Sequence, residues 1–122
     1  MSSVTILHNP RCSKSRQTLA LLEEKGISPT VVEYLKTPLS IAELKTLFGQ
    51  LNIENVRDMM RTKEEAYKAN ALGGADITDE QLFAAMVEHP KLIERPVVIN
   101  NNAARIGRPP EAVLEIVQWA LF

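Results

Sequence analysis

The sequence is short of cysteine and of long apolar runs, and both absences limit what the protein can be. Its one cysteine, Cys12, cannot form an internal disulfide, which is typical of a protein from a reducing compartment. No apolar stretch approaches the roughly 20 residues that a membrane-spanning helix needs, and residues 1–4 lack the basic and apolar regions of an export signal. We therefore expect a soluble, cytoplasmic protein.

An excess of charge of either sign is also missing. The net charge is −1, so no global positive field is available to hold nucleic acid or an anionic membrane surface. No group of side chains has the spacing of a metal site. We expect no nucleic-acid partner, no membrane attachment, no metal and no bound cofactor, and any anion site must be built locally.

The chain is large enough for one independent core. Its 122 residues are 45% hydrophobic and 24% charged, which is the composition of an ordinary globular protein. We expect a single domain over 1–122, and the order of its helices and strands predicts its architecture.

The first third of the sequence predicts a β-α-β unit. Residues 4–7 read as a strand that ends at an Asn-Pro turn, and residues 13–25 favour a helix with Gly26 as its C-terminal cap. Residues 31–34 read as a second strand. Because a whole helix separates the two strands, we expect them to be parallel.

The middle of the sequence predicts a helical insertion over 40–90. A capping box at Ser40 begins a helix over 41–50, and another at Thr78 begins a helix that ends before the next proline. Residues 55–72 favour one or two shorter helices. No strand pattern interrupts this region.

The last third predicts a hairpin followed by a helix. Residues 97–99 and 103–106 read as antiparallel strands joined by three asparagines. Two prolines at 109–110 suit a helix start, and apolar residues at helical spacing then describe a final amphipathic helix: Val113, Ile116, Val117 and Ala120. This order of elements predicts an α/β, thioredoxin-like fold with a mixed four-stranded sheet.

The segment HNPRCSKSR places Cys12 where a strand ends and a helix begins. Backbone amides and the positive end of the helix dipole favour a thiolate there, so the pKa of Cys12 should lie below the free value of about 8.5. We expect His8, Ser15 and Arg16 to favour the thiolate, with the Arg16 charge one helical turn beyond the sulfur. The same amides bind tetrahedral anions, so residues 9–15 are a candidate oxyanion cradle.

Each of these residues also has a purely structural interpretation. Cys12 can be a buried and inert thiol, His8 can bridge backbone groups at the strand end, and Arg16 can be a solvated surface charge. The junction of strand and helix favours the catalytic interpretation for Cys12 and leaves the interpretation of His8 open.

Four segments in order carry a resemblance that covers nearly the whole chain: HNPRCSKSR, VRDMMRTK, IERPVVI and ARIGRPPE. The sequence resembles the arsenate reductase family of the glutaredoxin- and glutathione-coupled type. The resemblance implies an oxidoreductase in which Cys12 attacks arsenate, glutathione joins the adduct as co-substrate, and glutaredoxin completes the reduction to arsenite. It also implies a role in arsenic detoxification.

The resemblance implies further site residues within the matching segments. Oxyanion binding falls on Arg61, Arg95 and Arg108, whose guanidinium forks suit a tetrahedral anion. Pro96 matches the structural cis-proline that thioredoxin-like folds place opposite the cysteine. As alternatives, Arg61 can be a helix-surface charge and Arg108 a packing residue.

Other residues have weaker claims. Arg57 and Arg105 are neighbours of the implied arginines, and residues 63–65 read as a solvated helix face. We expect a monomer. Two other functions share these features: a glutathione-dependent thiol oxidoreductase with another substrate, and a non-catalytic protein-binding regulator of the same fold. Because Ser15 stands three residues beyond Cys12, an internal disulfide switch is excluded.

Overall fold

Four short strands form one mixed sheet in the computed structural model, which describes residues 4–117. They are β1 (Val4–Leu7), β2 (Thr30–Val32), β3 (Val97–Asn100) and β4 (Ala103–Ile106), in the spatial order β2-β1-β3-β4. β2 is parallel to β1, whereas β3 is antiparallel to both β1 and β4. The predicted α/β fold class with a mixed four-stranded sheet is confirmed.

The helices begin close to where the sequence predicts them. They are α1 (Ser13–Glu24), α2 (Ile41–Leu51), α3 (Glu65–Ala69) and α4 (Asp79–Glu88), with 3₁₀ helices at Val56–Met59, Pro90–Leu92 and Pro110–Ile116. Both predicted capping boxes are present, at Ser40 and at Thr78. No helix within residues 4–117 is long and apolar enough to cross a membrane.

The second strand begins and ends earlier than predicted. β2 stops at Val32 because the chain turns immediately afterwards: the Glu33 carbonyl accepts hydrogen bonds from the amides of Lys36 and Thr37. Tyr34, predicted as a strand residue, lies after the turn begins and is 1% exposed. Its burial therefore comes from packing at the end of the sheet and not from strand pairing.

The final helix is of a different type from the predicted α-helix. Pro110–Ile116 is a 3₁₀ helix, with i+3 hydrogen bonds at its ends from Ala112 to Pro109 and from Val117 to Leu114. In a 3₁₀ helix, residues three apart share a face, and the buried residues include Val113 and Ile116. The predicted apolar contact of Ala120 lies outside the described residues.

Alternate residues of the central strands face two separate apolar clusters, as the period of a strand requires. One cluster, on the side of α1 and the last 3₁₀ helix, includes Ile6, Leu22, Val98, Val113 and Ile116. The other, on the side of α2 and α4, includes Leu7, Leu44, Leu47, Leu82, Met86 and Val97. The sheet is thus covered on both faces, and the loop that carries Cys12 begins where the inner strand β1 ends.

Candidate active site

Cys12 is the N-cap residue of α1, at the end of the turn that follows β1. Its backbone is extended, with φ −96° and ψ 124°, and its carbonyl accepts the Arg16 amide at 3.0 Å. Asn9 shapes the turn, because its side-chain oxygen accepts the Arg11 amide at 3.0 Å and its carbonyl accepts the Cys12 amide at 3.0 Å. The sulfur is therefore held at the start of the helix by local hydrogen bonds.

Several groups act on the ionisation of the Cys12 thiol. Burial raises its pKa, since the residue is 9% exposed, but hydrogen bonds from the Ser15 and Lys14 amides and the positive charge of Arg95 oppose it. Arg108 adds a further positive charge. The sum of these effects lowers the pKa of Cys12, because backbone amides and guanidinium groups stabilise the anion more than burial destabilises it.

His8 and Ser15 form a buried pair next to this thiol. The His8 Nδ1 atom lies 2.6 Å from Ser15 Oγ, which accepts the Asn9 amide at 3.0 Å. Burial lowers the pKa of His8, opposed by the charge of Glu33, so the ring is neutral near pH 7. A neutral ring adds no positive charge near the sulfur. Its contact is with the Ser15 side chain and not with backbone groups, and it ties the end of β1 to the first turn of α1.

Arg16 is directed elsewhere than the sequence predicts. Its Nη1 atom donates to the Pro10 carbonyl at 2.9 Å, which closes the loop before Cys12. The guanidinium charges that lower the pKa of Cys12 are those of Arg95 and Arg108. These two residues lie far from Cys12 in the sequence, so helical spacing alone does not identify them.

The three arginines implied by the resemblance line one cavity of about 380 Å³. The full lining is Met60, Arg61, Thr62, Lys63, Glu64, Glu94, Arg95 and Arg108. Backbone hydrogen bonds align two of its walls: the Arg61 amide donates to the Leu92 carbonyl at 2.7 Å, and the Glu94 amide donates to the Met59 carbonyl at 2.9 Å. Segments from three parts of the chain thus converge on one cationic cavity.

Pro96 directly follows Glu94 and Arg95, which line the cavity. The Arg95–Pro96 peptide bond is cis, and the Pro96 carbonyl accepts the Gly107 amide at 2.8 Å. Arg108 follows Gly107, and its Nε atom donates to the Arg95 carbonyl at 3.0 Å. These bonds place the side chains of Arg95 and Arg108 next to each other.

Two carboxylates balance part of the positive charge. Glu64 Oε2 lies 3.1 Å from Arg61 Nη1, and Glu94 Oε1 lies 3.3 Å from Arg95 Nη1 and 3.1 Å from Arg108 Nε. The Nε atom of Arg95 is buried and has no hydrogen-bond partner among the described residues. Arg95 therefore keeps one buried N–H donor that no acceptor in this part of the chain uses.

Sequence reasoning missed several residues of this cavity. The pattern of residues 63–65 predicts a solvated helix face, but Lys63 and Glu64 line the cavity because Glu64 folds back onto Arg61, three residues earlier. The sequence gives a weak indication for Glu94, because this residue directly precedes Arg95 within a segment that carries the family resemblance. Acidic residues beside an expected arginine are the pattern that would have found both carboxylates.

Tyr34 is a further residue near the site that the sequence analysis did not identify as a functional residue. Burial raises its pKa to about 12, although the charges of Arg95 and Arg61 act in the opposite direction. The charges of Cys12 and Glu94 also raise it. Its phenol therefore lies within electrostatic reach of both the thiol and the cationic cavity, and it stays protonated as a hydrogen-bond donor.

The arginines with weaker claims have structural contacts. Arg57 donates from Nη2 to the carbonyls of Leu72 and Gly74, at 2.8 and 3.0 Å. Arg105 lies 3.5 Å from the carboxylate of Glu115. Within residues 4–117, no group of three or more His, Cys, Asp and Glu side chains is placed to hold a metal ion.

The chain is similar over nearly its whole length to known proteins of one family. The ArsC family matches residues 7–116. An arsenate reductase of Haemophilus influenzae is 56% identical over 115 residues, covering 94% of this chain and 99% of that protein. YfgD of Escherichia coli K12 is 54% identical over 114 residues, covering 93% and 96%. The solved structure of an arsenate reductase from Vibrio cholerae is 62% identical, with a TM-score of 0.93, covering 93% and 97%.

Proposed function

Because the chain belongs to the ArsC family, we propose that it is an arsenate reductase whose nucleophile is the thiolate of Cys12. One observation carries the proposal. The sulfur accepts two backbone hydrogen bonds at the start of α1 and is stabilised by Arg95 and Arg108, and these arginines also line the cationic cavity. A nucleophile and an anion site therefore share two guanidinium groups.

The first step is attack of the thiolate on arsenate. A sulfur–arsenic bond forms and one arsenate oxygen leaves as hydroxide or, with a proton, as water, so the arsenic is still pentavalent. Positive charge near the leaving and remaining oxygens stabilises this exchange. Arg61, Arg95 and Arg108 hold the oxyanion in the proposal, and their planar forks suit its oxygen pairs.

The reduction itself needs two electrons from outside the chain, because Cys12 has no second cysteine to pair with. Glutathione supplies one thiol as co-substrate, and glutaredoxin supplies the other. The arsenic leaves as trivalent arsenite, the two external sulfurs end as a mixed disulfide, and Cys12 returns to its reduced form. This requirement for reduced thiols fits a protein working in the cytoplasm.

The proposed supporting roles follow from contacts. His8 and Ser15 hold the loop after β1 so that the Ser15 amide faces the sulfur. Arg16 closes the same loop through the Pro10 carbonyl. Pro96 sets the direction of the chain between Arg95 and the strand β3. These residues position the reacting groups and do not themselves exchange bonds.

The test is release of arsenite from arsenate with glutathione and glutaredoxin present. Cys12→Ser should release none, and Arg95→Ala should lower kcat/KM by about tenfold or more, since a charged donor contributes about 1.5–3 kcal/mol. Arg105→Ala is the matched control, because Arg105 contacts Glu115 outside the cavity. Its activity should stay near that of the unaltered protein.

Two results would contradict the proposal. Full activity in Cys12→Ser would exclude the thiolate mechanism. Absence of arsenite release by the unaltered protein, with a glutaredoxin shown to be active in a parallel assay, would exclude arsenate as the substrate.

A further inference from the structure

The cavity contains a carboxylate in a position that is unusual for an anion site. Glu94 lies between the two guanidinium groups that act on the Cys12 sulfur, with its Oε1 atom 3.3 Å from Arg95 Nη1 and 3.1 Å from Arg108 Nε. Its side chain is 23% exposed, and it lines the cavity. An oxyanion held by Arg95 and Arg108 therefore meets a negative oxygen.

Glu64, the second carboxylate, has a different setting. It pairs with Arg61 across the turn that precedes α3, and it is the N-cap residue of that helix. It makes no salt bridge to either guanidinium that lowers the pKa of Cys12. Of the two carboxylates of the cavity, Glu94 is thus the one that pairs with both guanidinium groups that act on the Cys12 sulfur.

Net charge alone does not explain which anion the cavity selects. Its lining has four cationic side chains and two carboxylates, which leaves an excess of two positive charges: Arg61, Lys63, Arg95 and Arg108 against Glu64 and Glu94. This excess suits any tetrahedral dianion, including sulfate, hydrogen phosphate and hydrogen arsenate. Discrimination among them needs another property.

The anions differ in whether they carry a proton, and this difference can determine which of them binds. A carboxylate can only accept hydrogen bonds, so it attracts an oxyanion that carries an O–H group and repels one whose oxygens are all acceptors. Near neutral pH, hydrogen arsenate and hydrogen phosphate keep a proton, whereas sulfate has none. A fixed carboxylate in the cavity therefore opposes sulfate, which is otherwise matched in shape and charge.

We propose that Glu94 is a specificity-determining residue that accepts a hydrogen bond from the O–H group of a protonated tetrahedral oxyanion and excludes sulfate. The inference rests on the proposed function, because it takes the cavity as the arsenate site. It deepens that function by naming the substrate class as oxyanions that keep a proton at neutral pH.

The experiment measures binding without turnover, by protection of Cys12 from alkylation by iodoacetamide at pH 7.5 and constant ionic strength. Phosphate and sulfate are the probes, because neither reacts with a thiol and they differ in the proton. The quantity compared is the anion concentration that halves the alkylation rate. The proteins are the unaltered chain, Glu94→Gln, and Glu64→Gln as the matched control.

The unaltered chain should bind phosphate at least about tenfold more tightly than sulfate. Hydrogen phosphate donates a hydrogen bond to the Glu94 carboxylate, whereas sulfate has no O–H group and is repelled by it. In Glu94→Gln, sulfate affinity should rise about tenfold while phosphate affinity changes about threefold or less, because an amide can donate to sulfate. Glu64→Gln should keep the preference for phosphate. Glu94→Asn, checked with Glu94→Gln by circular dichroism, should repeat the loss of discrimination.

Three results would overturn the inference: equal affinity of the unaltered chain for both anions, no protection by either anion, or an equal gain for both anions in Glu94→Gln. The last would mean that Glu94 acts only through its charge. None of these measurements requires arsenate reduction. A failure of the proposed reaction would therefore appear in the arsenite assay and not in the ratio of phosphate to sulfate affinity.

Discussion

The Nδ1 atom of His8 lies 2.6 Å from the Oγ atom of Ser15, and this contact joins the end of the first strand to the first turn of the first helix. Ser15 Oγ also accepts the Asn9 amide, so its hydroxyl hydrogen is free to point at His8. We infer that His8 carries its proton on Nε2. The same turn of helix presents the Ser15 amide to the Cys12 sulfur, so the pair supports the geometry of the thiolate.

Protonation of His8 should destabilise the fold. Burial lowers its folded-state pKa below 6.5, so the unfolded chain binds this proton at a higher pH than the folded chain does. The contribution of His8 to stability is complete above about pH 6.5 and is lost as the pH falls through the lowered folded-state pKa. Urea denaturation from about pH 7.5 to 5 should show this loss of unfolding free energy.

A variant without the buried ring tests that prediction. His8→Gln should flatten the pH dependence between about pH 5 and 6.5, because it removes the titrating imidazole. An equal slope in His8→Gln and the unaltered chain would contradict a buried neutral ring.

The Cys12 thiolate should form at lower pH in the folded protein than in the unfolded protein. The folded-state pKa is lowered, so ionisation also stabilises the fold as pH rises toward the unfolded-state pKa. Thiolate absorbance near 240 nm, followed against pH with and without urea, measures the difference. Cys12→Ser serves as the blank.

The same titration tests the role of Arg95 in the charge balance. Arg95→Gln should raise the pKa of Cys12, because it removes a positive charge that stabilises the thiolate. Arg105→Gln removes an equal charge outside the cavity and should leave the titration nearly unchanged. Identical titrations for both variants would show that Arg95 does not act on the sulfur.

Arg57 should matter for stability and little for catalysis. Its guanidinium donates to the carbonyls of Leu72 and Gly74, which fasten the loop before α4. Arg57→Ala should lower the free energy of unfolding by about 1.5–3 kcal/mol, given the usual strength of hydrogen bonds from charged groups. The midpoint of urea unfolding measures this loss. A tenfold fall in kcat of the folded variant would instead place Arg57 in the site.

Two glycines should respond to alanine in opposite directions. A Cβ at Gly107 would lie 2.7 Å from Thr18 Oγ1 and 2.8 Å from Pro96 Cγ, so the segment that carries Arg108 must move. Gly107→Ala should cost about 1–3 kcal/mol of stability and lower activity. Gly49 lies in α2, where an added Cβ would meet no atom within 4 Å, so Gly49→Ala should stabilise by about 0.5–1 kcal/mol.

Thermal unfolding of the two alanine variants compares them directly. A gain of stability in Gly107→Ala would mean that the contact between Gly107 and Pro96 relaxes at no cost. Loss of stability in Gly49→Ala would contradict the open space found around a Cβ at this position. Both variants add the same methyl group, so the test is whether their changes in stability have opposite signs.

The order of the elements was determined by the sequence itself. The capping boxes at Ser40 and Thr78, the Asn-Pro turn after β1 and the position of Cys12 at a helix start all depend on residues within a few positions of one another. Such local patterns need no knowledge of packing. The four segments that carry the family resemblance also contain the distant arginines that line the cavity.

Only the tertiary structure decided which charges act on the sulfur and which residues share the cavity. Arg16 has the helical spacing to approach Cys12 but contacts the Pro10 carbonyl, whereas Arg95 and Arg108 reach the thiol from another part of the chain. Burial made His8 neutral, and folding brought Glu94 between two guanidinium groups. Electrostatic interactions depend on distance in space and on burial, and neither can be read from separation along the chain.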